Sequence, residues 1–118
     1  MDNWITGAGH FGLSVADLDE SIDFYQNILG LKVSLKREKD AFIPIGKEDV
    51  LALLQFPGGK EAFDKEYRLK YKGKAFTHFG LTAPSVQAVF DFQEKLRNAE
   101  VEIIKEAYER WDGASFYF

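Results

Sequence analysis

The sequence predicts an α+β fold built from two tandem βαβββ modules, and three observations lead there. The segment His-Phe-Gly-Leu-Ser-Val at residues 10 to 15 returns as His-Phe-Gly-Leu-Thr-Ala at residues 78 to 83. Each copy alternates small or polar residues with apolar ones, the pattern of a half-buried strand. Each is followed by apolar residues at helical spacing. At the same spacing Asp23 pairs with Asp91, Phe24 with Phe92 and Val33 with Val101, so the match outlasts the motif. The interval exceeds that of solenoid repeats, which makes this a two-fold internal duplication.

The elements follow in order. In the first strand His10, Gly12 and Ser14 share one face and Phe11, Leu13 and Val15 the other. The second copy splits the same way, with His78, Gly80 and Thr82 opposite Phe79, Leu81 and Ala83. The first helix has Asp17 as its cap and Glu20 three residues later, a capping-box spacing, with Leu18, Ile22, Tyr25 and Leu29 as its stripe and Gly30 as its stop. Lys32–Lys36, Phe42–Ile45 and Val50–Phe56 read as three short strands, with Gly46 to Asp49 as the turn between the last two.

The second helix has Ser85 as cap, a stripe of Val86, Val89, Phe90, Gln93 and Leu96, and Asn98 at its end. Two further strands are expected at Val101–Ile104 and Trp111–Phe118. The resulting organisation is a first module over 1–56, a lysine-rich connection over 57–75 with a helical turn around Glu61 to Tyr67, and a second module over 76–118 within one structural domain. Set against the first copy, the last strand of the second module would begin at about residue 118. The expectation is a shortened module with an uncovered strand edge.

Composition narrows the function. The net charge of −4, with acidic and basic residues mixed along 118 residues, argues against nucleic acid as a partner. No apolar run approaches the roughly 20 residues that span a bilayer, and the N-terminus lacks the basic, apolar plan of a signal peptide, so a cytoplasmic protein without a membrane partner is expected. The absence of cysteine rules out disulfides, thiol nucleophiles and thiolate metal sites. With only two histidines, both at equivalent strand positions, no serine-histidine-acid arrangement can be assembled. Gly7-Ala8-Gly9-His10-Phe11-Gly12 matches GxGxxG, but a strand rather than a helix follows it, so it is not read as a nucleotide loop.

A tandem βαβββ unit opening on His-Phe-Gly-Leu, joined to a helix with Asp17, Ser21, Phe24 and Tyr25 and then Leu29-Gly30-Leu31, with the second His78 to Leu81, resembles the vicinal oxygen chelate superfamily. That group includes glyoxalases, bleomycin resistance proteins and extradiol dioxygenases. The resemblance implies a curved, cup-like mixed sheet with helices outside, paired within a chain or between two, hence a homodimer. It also implies metal ligands at His10 and His78, with an acidic or amide ligand on the fourth strand. In Leu51-Ala52-Leu53 that position is Ala52, and the equivalent in the second module would lie beyond Phe118.

Three functional readings stay open, the third being an incomplete fold that does nothing by itself except associate with a second copy through its uncovered strand edge. The first is a bleomycin-resistance-like small-molecule-binding protein with no metal or a degenerate metal site, its aromatic ligand-binding surface formed by Phe42, Trp111, Phe116 and Tyr117. It expects cationic or planar ligands and no cofactor. The second is a metal-dependent lyase, isomerase or dioxygenase acting on vicinal oxygens, with Zn, Ni, Mn or Fe held by His10 and His78. Alternatively each histidine simply occupies the polar face of its strand. Glu106, Glu109 and Arg110 are placed at the rim of the site; Asp23 and Tyr25 are read as structural.

Overall fold

The computed structural model describes residues 8–68 and 79–118. The chain divides into two compact units, Met1–Phe79 and Gly80–Phe118. The first runs β1 (His10–Val15), α1 (Leu18–Asp23) widening into a π-helical turn (Phe24–Ile28), β2 (Leu35–Lys36), β3 (Asp40–Ile45), β4 (Asp49–Gln55), and α2 (Gly59–Ala62) widening likewise (Phe63–Arg68). This is the expected βαβββ order. Its sheet is mixed, in the order β1-β4-β3-β2, with β1 parallel to β4 and the other pairs antiparallel.

Strand alternation divides this sheet into two chemically different faces. Val15, Ala41, Ile43, Leu51 and Leu53 point to one side and form the buried core with Leu18 of α1. Phe11, Leu13, Ile22 and Tyr25 pack around its margin. The Tyr25 phenol is pushed above its ordinary pKa by burial, which fits a packing role. On the opposite side, register places Gly12, Ala52, Phe42 and Leu35 in one row across all four strands.

Local chemistry sets the helix ends as expected. Asp17, in extended conformation, accepts a hydrogen bond from the Glu20 N–H (3.0 Å), which satisfies one of the amides left over in the first turn. Gly30 closes the wide turn with φ of 76°, a left-handed conformation suited to glycine.

One polar side chain then fastens the end of β4 to the start of α1. Gln55 accepts from the Leu18 N–H (2.8 Å) and donates to the Ala16 carbonyl (2.8 Å) and the Phe56 carbonyl (3.1 Å). It belongs to the core-facing side of β4, as its distance of three residues from Ala52 implied. Its carboxamide satisfies backbone groups that the strand-to-helix bend leaves without ladder partners.

The second unit contains, among the described residues, α3 (Val86–Asn98) and an antiparallel hairpin of β5 (Lys105–Arg110) and β6 (Gly113–Tyr117). Ser85 caps α3 by accepting from the Ala88 N–H (3.1 Å), and the helix ends at Asn98 as the sequence suggested. Gln93 and Leu96 are buried, Val89 and Phe90 half-buried, and Val86 exposed. Gln93 accepts from the Ala107 N–H, tying the helix to β5.

Four expected strands are corrected. Of Lys32–Lys36 only Leu35–Lys36 joins a ladder, because Leu31 and Val33 turn toward the core instead. Residues 79–83 are not a strand, and Phe79 stacks on Phe11 (centroids 6.1 Å apart). The strand placed at Val101–Ile104 begins at Lys105 instead, because the Val101 N–H closes the end of α3 on the Leu96 carbonyl (3.0 Å). Trp111 and Asp112 form the hairpin turn rather than the start of β6.

Two stability predictions follow from these junctions. Replacing Gln55 with Leu should lower unfolding free energy by about 1–3 kcal/mol in urea denaturation, since it strands the backbone groups that Gln55 serves. Glu100 holds φ of 63° directly after α3, where the Glu100 and Val101 amides bond back to Arg97 and Leu96. Glu100→Gly should therefore raise stability, by up to about 1 kcal/mol, because glycine adopts this conformation without steric cost.

Candidate functional site

The open face of the first sheet is the first candidate surface. His10 begins β1 fully on this side, exposed, opposite Val50. Next to that row come Gly12 and Ala52, the smallest side chains of the face, then the half-buried Phe42 and the exposed Leu35. Leu54, 41% exposed, lies between Ser14 and Asp40 in the following row. The result is a shallow apolar floor of Gly12 and Ala52 with larger apolar side chains beside it.

Phe42 is also flanked by charge. The Arg37 guanidinium carbon lies 5.4 Å from the centre of its ring, held there by two hydrogen bonds to Asp40 (2.8 and 2.7 Å). The Arg37 hydrogen bond holds the Asp40 carboxyl below its usual pKa. Asp40 is thus engaged with Arg37.

A protein site for a divalent ion uses three or four donors, and among the described residues no three His, Cys, Asp or Glu side chains come together. Ala52, only 6% exposed, offers a methyl group where the resemblance places a ligand. His78 lies outside the described residues.

A cleft of about 410 Å³ opens elsewhere in the first unit, lined by Asp17, Lys36, Lys39, Gln55, Phe56 and Lys60 among others. It includes neither His10 nor Phe42. Lys36 faces Asp19 (3.6 Å) and Lys60 faces Glu20 (3.9 Å), so its charges are largely matched.

The second candidate surface is one side of the β5–β6 hairpin. Tyr108 stands opposite Ser115, Lys105 opposite Tyr117, and Arg110 two residues beyond Tyr108. An irregularity between Lys105 and Tyr108 brings these two residues, three apart, to the same side. Lys105 Nζ lies 5.3 Å and the Arg110 guanidinium carbon 5.8 Å from the centre of the Tyr108 ring. Arg110 also donates to Ser115 Oγ (2.9 Å) and to Asp112 (3.0 Å). Hydrogen bonding from Arg110, then the charge of Lys105, lowers the Tyr108 phenol pKa below the ordinary tyrosine value.

The expected aromatic residues fall in both units. Phe42 sits on the His10 face of the first sheet. Trp111 is at the hairpin tip, 97% exposed. Phe116 and Tyr117 are consecutive on β6 and point to opposite sides of it, so only Tyr117 shares the Tyr108 face. Of the charged residues expected at the rim, Glu106 is bound to Arg97 of α3 (2.6 Å), Glu109 lies on the opposite face to Arg110, and Arg110 belongs to the tyrosine cluster.

Comparison with known proteins agrees with this geometry at the level of fold. The family model for the Glyoxalase/Bleomycin resistance protein/Dioxygenase superfamily matches residues 7–118. The chain belongs to this superfamily. Similar solved structures include a lactoylglutathione lyase from Agrobacterium tumefaciens, with a TM-score of 0.67 and 18% identity over 98% of this chain and 87% of that one. A possible glyoxalase from Bacillus cereus gives a TM-score of 0.66 and 20% identity over 97% and 99% of the two chains. A glyoxalase/bleomycin resistance protein/dioxygenase from Alicyclobacillus acidocaldarius gives 0.64 and 20% over 91% and 77%. No curated protein matched. At these identities the structures establish the shared glyoxalase-type fold, and the chemistry has to be argued from this chain's own residues.

Sequence reasoning missed Lys105, Tyr108 and Ser115. The Asp112-Gly113 pair, a strong hairpin signal, was the feature that could have located them. The cluster makes a titration prediction. Absorbance difference spectra against Tyr108→Phe should show a phenol ionising at lower pH than an ordinary tyrosine, because adjacent cations favour the phenolate. Arg110→Met should move that ionisation upward.

Proposed function

We propose that this glyoxalase-superfamily chain is a small-molecule-binding protein that works without a bound metal, and that a planar ligand lies on the open face of its first sheet. The observation that carries this reading is the row Gly12, Ala52 and Phe42. Two minimal side chains leave a flat apolar floor beside an aromatic ring, and the residue at the fourth-strand ligand position cannot donate to a metal. Such a surface suits an aromatic or conjugated molecule held by stacking and apolar contact.

A second reading has its own support. His10 is exposed on that same face, so a metal-dependent lyase, isomerase or dioxygenase would draw on His10 and His78 and take its remaining donors from the substrate or elsewhere in the protein. The donor set described above favours the metal-free reading. A homodimer is also proposed, because β1 and β2 are unpaired edges of the sheet among the described residues and edges of this kind invite pairing. Cytoplasmic action is proposed with it. No helix among the described residues is long and apolar enough to cross a membrane.

Binding of the neutral planar fluorophore N-phenyl-1-naphthylamine to extensively dialysed protein tests the proposal. Saturable fluorescence enhancement and a raised melting temperature are expected. A Cβ on Gly12 would meet only Leu54 Cδ1, at an ordinary 3.6 Å, so Gly12→Val should fold normally while obstructing the floor. Binding should weaken by about tenfold or more in Gly12→Val and in Phe42→Ala, a loss of roughly 1.4 kcal/mol. Unchanged affinity in both variants would overturn this placement of the ligand.

A further inference from the structure

We infer that the outward face of the β5–β6 hairpin is an oxyanion-binding site, in which Lys105, Tyr108, Arg110 and Ser115 receive a small carboxylate or phosphate. All four side chains belong to the second unit. The inference is therefore independent of the planar-ligand surface in the first.

Register and distance carry the argument. Tyr108 and Ser115 are cross-strand partners, with Lys105 Nζ 5.3 Å and the Arg110 guanidinium carbon 5.8 Å from the centre of the Tyr108 ring. Tyr108 and Ser115, directly opposite on neighbouring strands, are about 5 Å apart at Cβ, and Lys105 and Arg110 both lie against the Tyr108 ring, so the four donor groups are neighbours. Arg110 is not a loosely tethered surface cation: its hydrogen bonds to Asp112 and Ser115 fix the guanidinium plane against the hairpin. Less ordering of the arginine is then required when a ligand arrives.

The charge on this face is unbalanced. Asp112 accounts for Arg110, but among the described residues Lys105 has no ion-pair partner. Glu106, adjacent in sequence, is committed to Arg97, and Glu109 points away. In a chain of net charge −4 this leaves a local cationic patch flanked by a phenol and a hydroxyl. Ammonium, guanidinium, phenol and serine hydroxyl can each donate to an oxyanion, and charge-assisted bonds of this kind are the stronger ones. The same two cations lower the Tyr108 phenol pKa, Arg110 by hydrogen bonding and Lys105 by its charge. The cations also make this face unsuited to the cationic ligands that the sequence alone suggested.

The test is an NMR titration of the full chain at low ionic strength, with sodium phosphate and sodium benzoate as probes and sodium chloride as the matched control. Saturable shifts confined to residues 105–117 are expected with at least one oxyanion, and the two arms show whether phosphate or carboxylate is preferred. Lys105→Gln and Arg110→Gln should each weaken binding by about tenfold. Asp112→Asn, which removes a competing carboxylate, should tighten it, an effect that a merely structural role for Arg110 would not produce. Lys105 is exposed, so its variant remains informative if Arg110→Gln disturbs the hairpin. Shifts no larger than those from chloride, or affinity undiminished in Lys105→Gln, would overturn the site.

Discussion

The parallel pairing of β1 with β4 is the constraint on which the first unit depends. It sets His10 against Val50, Gly12 against Ala52 and Val15 against Gln55, and so decides which side chains meet α1 and which remain outside. Side chains alternate strictly along a strand, so a one-residue slip would carry Leu51 and Leu53 to the open face and bring Ala52 into the core. Burial opposes that slip, since Leu51, Leu53 and Ile43 are all fully enclosed. Gln55 supplies the stop. Its carboxamide matches the backbone groups around Ala16 and Leu18 only when the last residue of β4 lies beside the end of β1.

The open face inherits its character from the same register. Its small residues lie together because Gly12 and Ala52 are ladder partners, and Phe42 joins them through the antiparallel pairing of β3 with β4. The superfamily fold thus supplies a platform, while the identity of a few outward residues decides what it can hold. Here the row of Gly12, Ala52, Phe42 and Leu35 is apolar in the first unit, and one side of the hairpin in the second carries Lys105 and Arg110. The two ligands proposed differ accordingly, one planar and apolar, the other negatively charged.

Much of the fold was legible where a local physical rule acts alone. Asp17 and Ser85 are caps because each precedes a helical stripe and has an oxygen placed to accept an amide, and Gly30 ends its helix because glycine accepts positive φ. The family followed from the repeated His-Phe-Gly-Leu and the helix after it. Legibility failed where tertiary contacts override the pattern. Phe79 carries the strand alternation of Phe11 yet stacks on it instead of extending a ladder.

The hairpin was hidden for a different reason. Lys-Glu-Ala-Tyr-Glu-Arg shows no apolar alternation, and the irregularity between Lys105 and Tyr108 shifts the period that a reader would count. Trp111, a natural candidate for a binding pocket on composition, proved to be a turn residue. Nothing in its residue type distinguishes those roles; the Asp-Gly pair that follows it does.

The proposal that the protein works without a bound metal rests on the register, which delivers Ala52, and not a donor, to the row beside His10. Isothermal titration of Zn²⁺ and Ni²⁺ into the dialysed protein, in parallel with His10→Ala, measures this most directly. The account predicts no saturable one-to-one heat that His10→Ala removes. A stoichiometric, saturable binding event abolished by that substitution would contradict it.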